Sequence, residues 1–225
     1  MTTTESLDKV KRYWRSRGPA TTALALAEAL LSPLIRRRRR LVFDAQVDVP
    51  RQPSPWASNE RLLVIGPDNF QGLDSALLSS IQIERHRKDF DGIRKGNRLF
   101  LVTDGPVCLH RSYIRLSAGE TNDRNALYFG ELEMTPEIRS CETAEHARGR
   151  GLYRRVLNDQ LRYLKELGYN RAVLYIMEGN TASIRGVTAA GFKLCRTLHD
   201  WILFNFVVFQ RVHEHGRTAW RIFLR

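Results

Sequence analysis

Residues 148–153 read Arg-Gly-Arg-Gly-Leu-Tyr and open a stretch of helical periodicity. Glycine weakens a helix interior, so Gly149 and Gly151 at its mouth need a reason. A glycine turn entering a helix leaves backbone N–H groups that no helical carbonyl satisfies, and the positive end of the helix dipole adds to them. Such a turn is an anion site, because glycine admits the anion without a Cβ in the way and permits positive φ. Arg148 and Arg150 would add charge-assisted bonds to a phosphate. A basic turn that uses glycine for geometry alone is the competing reading. The run is neither the GxxxxGK[ST] phosphate loop nor the GxGxxG dinucleotide fingerprint.

Just upstream, residues 130–145 carry Glu131, Glu133, Glu137, Glu142 and Glu145 against Arg139 alone, an acidic island in a chain of net charge +12. A carboxylate there could attract an ammonium ion and take its proton. Glu137 and Glu142 are the candidate bases. In a regular strand their five-residue spacing puts them on opposite faces, so at most one could serve. Glutamates that merely alternate out of a strand into solvent are the competing reading. Cys141 has no His or Asp placed by sequence to activate it and reads as a small buried residue. His199, His213 and His215 lack further ligands, so no metal site is expected.

These groups need elements to position them. The sequence predicts helices over 5–17 and 20–35, broken at Gly18-Pro19, and a short strand over 40–47. Pro50, Pro53 and Pro55 make 49–56 an extended linker. A strand over 61–66, a mostly helical 73–90 and a hairpin turning at Asp104-Gly105 follow. Further strands are expected over 126–134 and 137–143. Tyr153, Val156, Leu157, Leu161, Leu164 and Leu167 share one face of a helix over 152–167, which Gly168 stops. A buried strand over 171–177, a helix over 181–190 between Asn180 and Gly191, and strands in the tail complete the chain. The expected division is a basic helical appendage with linker, 1–56, and a mixed α/β domain, 57–225.

Charge is uneven. Residues 1–40 hold ten Lys/Arg against Glu5, Asp8 and Glu28, which points to a polyanion such as an anionic membrane surface. Nucleic acid is disfavoured, since no known nucleic-acid motif accompanies the charge. The apolar run near residue 25 contains Glu28 and leads into Arg36–Arg40, unlike a signal peptide, and it is too short to span a bilayer. Three widely spaced cysteines suit reduced thiols in the cytoplasm.

The order Arg-Gly-x-Gly-Leu, helix, buried strand, then Asn180-x-x-Ser183-Ile184 and Gly191-Phe192 resembles the GNAT superfamily of acyl-CoA-dependent N-acyltransferases. The resemblance implies a mostly antiparallel sheet with helices on both faces. Its central strands, 137–143 and 171–177, would splay to take the pantetheine arm of coenzyme A. The backbone of Arg148, Gly149, Arg150, Gly151, Leu152 and Tyr153 would hold the pyrophosphate. Thr143, Ala144 and Glu145 would lie along the thioester, with Asn180 and Ser183 at the far wall. The implied reaction moves an acetyl group from acetyl-CoA to a primary amine, with Glu142 or Glu137 as base. Similarity of Arg-Gly-Arg-Gly-Leu-Tyr to bacterial cell-surface sugar acetyltransferases suggests an amino sugar or lipid-linked amine, reached from the inner face of the membrane through residues 1–40. A protein lysine or a polyamine as acceptor, a catalytically silent adaptor, and a homodimer stay open. Two positions depart from the family pattern: Tyr153 stands where Gly or Ala is usual, and Val187 where many members carry an acidic tyrosine.

Overall fold

The structure is a computed structural model that describes residues 35–70, 92–116, 135–204, 207–214 and 216–224. The helices expected over 5–17 and 73–90, nearly all of that over 20–35, and the strand expected over 126–134 lie outside these residues. Nine strands and two helices are described: β1 (Ile35–Gln46), β2 (Glu60–Ile65), β3 (Arg98–Asp104), β4 (Val107–Arg115), β5 (Glu137–Thr143), α1 (Leu152–Glu166), β6 (Arg171–Met177), α2 (Thr181–Ala189), β7 (Lys193–Leu203), β8 (Val207–Glu214) and β9 (Arg217–Leu224). The chain divides into two compact units, residues 40–197 and residues 1–39 with 198–225.

In the unit 40–197 the strands lie in the order β2-β3-β4-β5-β6-β1-β7. Strands β2 to β5 run antiparallel, β5 meets β6 in parallel, and β6 pairs antiparallel with β1. The β3–β4 hairpin turns at Gly105, whose φ is +55°. Period-two alternation gives the sheet two buried faces. Phe100, Val102, Ile114 and Ile138 pack with Val156, Leu157, Leu161 and Leu164 of α1, while Leu99, Leu101 and Tyr113 pack with Ile65 and Ile93 on the other side. Each such aliphatic side chain contributes about 1.5–3 kcal/mol by leaving water.

The strand expected over 40–47 starts earlier: β1 begins at Ile35 and passes through Arg36–Arg40. Val42, Phe43 and Ala45 are buried, and Arg40–Gln46 pair with β6. Residues 49–56 form a strap along α1. Ser54 donates its N–H to Asp159 (3.3 Å) and its hydroxyl to the Arg155 carbonyl (3.0 Å). Arg155 donates to the Pro55 carbonyl (2.8 Å) and lies 4.6 Å over the Trp56 ring, and Arg51 reaches the Ala190 carbonyl (3.3 Å). Prolines bar this segment from a ladder, and side chains of both partners supply the bonds instead.

Candidate functional site

Strands β5 and β6 touch at one point. Glu137 pairs with Val173, whose N–H donates to the Pro136 carbonyl (2.9 Å), and no further rung joins the two strands. Beyond that rung β5 is held by β4 and β6 by β1. The two strands therefore part, leaving a gap in the ladder across which their backbone groups do not pair with one another.

The glycine turn follows the end of β5. Ala144 donates its N–H to the Leu109 carbonyl (2.9 Å), and a single 3₁₀ turn over Glu145–Ala147 leads to Arg148. Gly149 and Gly151 have φ of +80° and +72°, the left-handed region in which glycine avoids the Cβ clash. Arg148 donates to the Glu145 carbonyl and Arg155 to the Gly151 carbonyl. The six N–H groups between them, Gly149 to Arg154, find no acceptor among the described residues. They stand at the positive end of a 15-residue helix, which is the physical specification of an anion site.

The two arginines of the turn divide the labour. Arg148 is exposed, with no partner among the described residues. Arg150 reaches back to β2, where its guanidinium meets the buried Glu60 carboxylate at 2.7 Å, and Arg155 meets the other oxygen at 2.8 Å. The Ala57 N–H donates to Glu60 as well (3.0 Å). The Arg155 hydrogen bond holds the Glu60 carboxyl below the usual carboxylate range, against the upward push of burial. The side chain of Arg150 thus anchors the turn to β2. Glu60 gave no sign in sequence, because its partners lie about ninety residues away.

The carboxylates stand differently from expectation. On β4 the step from Tyr113 to Arg111 spans two residues, while the paired step on β5 from Arg139 to Glu142 spans three. The extra residue is a bulge at Ser140, whose φ is +53°. It reverses the alternation, so Glu137 and Glu142 share one face, opposite Arg115 and Arg111. Glu137 is ion-paired with Arg115 at 2.6 Å and its side chain is 2% exposed. Glu142 is ion-paired with Arg111 and its side chain is 46% exposed.

On the opposite face, under the turn, lies a buried polar patch. Tyr153 turns its ring inward, 5.7 Å from that of His110, and its hydroxyl bonds to Cys141. Cys141 contacts the Ser112 hydroxyl (3.0 Å), which accepts from the Gln160 amide (2.9 Å). Nδ1 of His110 is 2.7 Å from the Thr143 hydroxyl. Burial, helped by the Arg111 charge, pushes the His110 pKa down to about 3, so the ring is neutral. Burial also raises the Tyr153 hydroxyl well above its ordinary value. Because the Tyr153 ring points inward, its bulk leaves the amide row uncovered.

At α2, the Asn180 side chain accepts from the Ser183 N–H (3.1 Å) and caps the helix. Gly186 faces Tyr153 so closely that a Cβ there would lie 2.6 Å from Cδ1 of the ring. Val187 is fully buried in the core. Among the described residues no group of three or more His, Cys, Asp or Glu could hold a metal, no helix is long and apolar enough to cross a membrane, and the three cysteines are free thiols.

No protein-family model and no curated protein matches the sequence. Solved structures do match. A GCN5-related N-acetyltransferase from Sphaerobacter thermophilus superposes with a TM-score of 0.52 at 17% identity, over 88% of this chain and 58% of that one. The GCN5-related glucosamine N-acetyltransferase region of a fungal multi-domain β-N-acetylglucosaminidase matches with a TM-score of 0.51 at 12% identity, over 80% of this chain and 23% of that one. The chain thus spans less than two thirds of either structure. The chain has the fold of the GCN5-related N-acetyltransferases, a mixed α/β fold with a mostly antiparallel sheet.

Proposed function

We propose that the chain is an N-acyltransferase that moves an acetyl or other acyl group from acyl-CoA to a primary amine. The observation that carries this is the row of six unpartnered N–H groups, Gly149 to Arg154, opening beside the gap between β5 and β6. The row suits a pyrophosphate, with Arg148 adding charge, and the gap suits the extended amide-bearing arm of coenzyme A. Acyl-CoA brings the activated thioester. Thr143, Ala144 and Glu145 border it at the end of β5, and Asn180 and Ser183 stand at the start of α2. Glu142, partly exposed beside Arg111, is the carboxylate placed to take the ammonium proton. The C–S bond breaks as the C–N bond forms, the nitrogen's remaining surplus proton passes to water, and the departing sulfur takes a proton from water. The acceptor that fits this acidic strand is an amino sugar or a lipid-linked amine, and the chain works on the cytoplasmic side at the membrane periphery.

Thermal unfolding with and without acetyl-CoA tests the reading. Ligand at about 100 times its dissociation constant adds ~2.7 kcal/mol, or roughly 5–11 °C for a chain of this size. Gly151→Glu sets a carboxylate in the anion site. Nothing lies within 4 Å of the added Cβ, so the variant folds at a cost of about 1–2 kcal/mol for its left-handed backbone. A shift in the wild type that Gly151→Glu abolishes supports the reading; no shift in folded wild type overturns it.

A further inference from the structure

In the second unit, β8 and β9 form a hairpin from Val207↔Leu224 to Glu214↔Arg217. Val208, Gln210 and Val212 are buried, so Phe209, Arg211 and His213 point the other way. Their cross-strand partners are Ile222, Trp220 and Thr218, on that same outward face. Trp220 is 62% exposed and Ile222 69%, which is unusual for such large apolar side chains. The indole of Trp220 stacks on that of Trp201 from β7 (5.5 Å), and the Arg211 guanidinium lies 5.9 Å from its ring.

The occupant of this face has to be anionic. The unit holds thirteen Lys/Arg against five Asp/Glu, and Arg211 lies on the face itself, opposite Trp220. A second copy of the same surface would meet like charge. Single-stranded nucleic acid would use open aromatic faces, but the two indoles already cover one another and the most exposed group is the aliphatic Ile222. Indole, phenyl and aliphatic side chains beside an arginine, in a unit of net positive charge, are what the boundary between headgroups and acyl chains accommodates.

We propose that the outward face of β8 and β9, centred on Trp220 and Ile222, docks on a membrane surface rich in anionic lipid. The proposal holds whether or not the chain is an acyltransferase. The test is co-sedimentation of the full chain with phosphatidylcholine vesicles, with and without phosphatidylglycerol, and with a single-stranded RNA homopolymer. The expected result is binding to the anionic vesicles alone, weakened by salt, at least tenfold weaker for the double variant Trp220→Ser, Ile222→Ser, and retained by Trp220→Phe, Ile222→Leu. Both variants replace exposed side chains, and circular dichroism checks their folding. Should the serine variant fail to fold, quenching of wild-type indole emission by brominated acyl chains, reduced in Trp220→Phe, decides. Absence of vesicle binding, equal binding by the folded serine variant, or binding to RNA alone overturns the proposal.

Discussion

Glu137 and Glu142 project from the same face of the sheet although five residues separate them, because the bulge at Ser140 inserts one residue between their rungs. They share a face but not an environment. Glu137 is sealed in an ion pair with Arg115, while Glu142 keeps nearly half of its side chain in solvent beside Arg111. Glu142→Gln is expected to lower kcat about a hundredfold, the modest end of general-base effects, with the KM for acetyl-CoA unchanged. Glu137→Gln is expected to act on folding, at about 3–5 kcal/mol for a broken buried pair. Steady-state kinetics and urea unfolding on the two variants check this; equal kcat losses from both would remove the distinction.

Glu60 ties the turn to β2 through Arg150 and Arg155. Replacing it by Gln leaves two guanidinium groups without their counter-charge. Arg150 is 38% exposed and rehydrates readily, so the expected cost is ~2–4 kcal/mol, below that of a fully buried pair. The acetyl-CoA shift should shrink as well, because the amide row loses its tether. The pH dependence has a definite sign. The folded pKa of Glu60 is lowered, so its stabilisation is complete above the unfolded value of about 4.3 and is lost as pH falls through the folded one. Acid unfolding of Glu60→Gln should therefore be less steep than that of the wild type below pH ~4.

What could be read from sequence was local. The leucine face of α1, the Asp104-Gly105 hairpin and the Asn180 cap each lie within a few residues, where propensity and periodicity act directly. The glycines of the turn were legible for the same reason: their left-handed φ values are a backbone demand that only their residue type announces. The engagement of Arg150 was not legible, since Glu60 is ninety residues distant. Nor was the Ser140 bulge, which exists only in the register between β4 and β5 and which undid a face assignment based on odd spacing. The prolines of 49–56 marked an irregular segment correctly, but its docking on α1 depends on Arg51 and Ser54 finding partners more than a hundred residues on.

His110 is buried and neutral, with its pKa pushed down to about 3 by burial and then by Arg111. The unfolded chain binds a proton near pH 6.5 that the folded protein refuses until about pH 3. Stability therefore falls as pH drops below 6.5, at ~1.4 kcal/mol per unit from this residue, which amounts to about 2 kcal/mol at pH 5. His110→Asn keeps a partner for Thr143 without the titration. Its stability between pH 7.5 and 5 should decline less than the wild type's by about that amount in urea unfolding; parallel curves would mean that His110 is protonated in the fold.

Gly186 and Tyr153 fit as a pair across α1 and α2. A methyl group at residue 186 would sit 2.6 Å from the Tyr153 ring, closer than van der Waals contact allows, so one of the two must move. The ring is wedged beside His110 with its hydroxyl on Cys141, and α2 is pinned by Val187 in the core. Gly186→Ala is thus expected to cost about 1–3 kcal/mol by overpacking, beyond the gain alanine brings to a helix interior. In a Tyr153→Ala background the obstruction is gone, and the same change should be neutral or stabilising by up to ~1 kcal/mol. A double-mutant cycle of thermal unfolding measures the coupling. A coupling near zero would show that α2 shifts freely over α1, and that Gly186 is not what makes room for a tyrosine beneath the amide row.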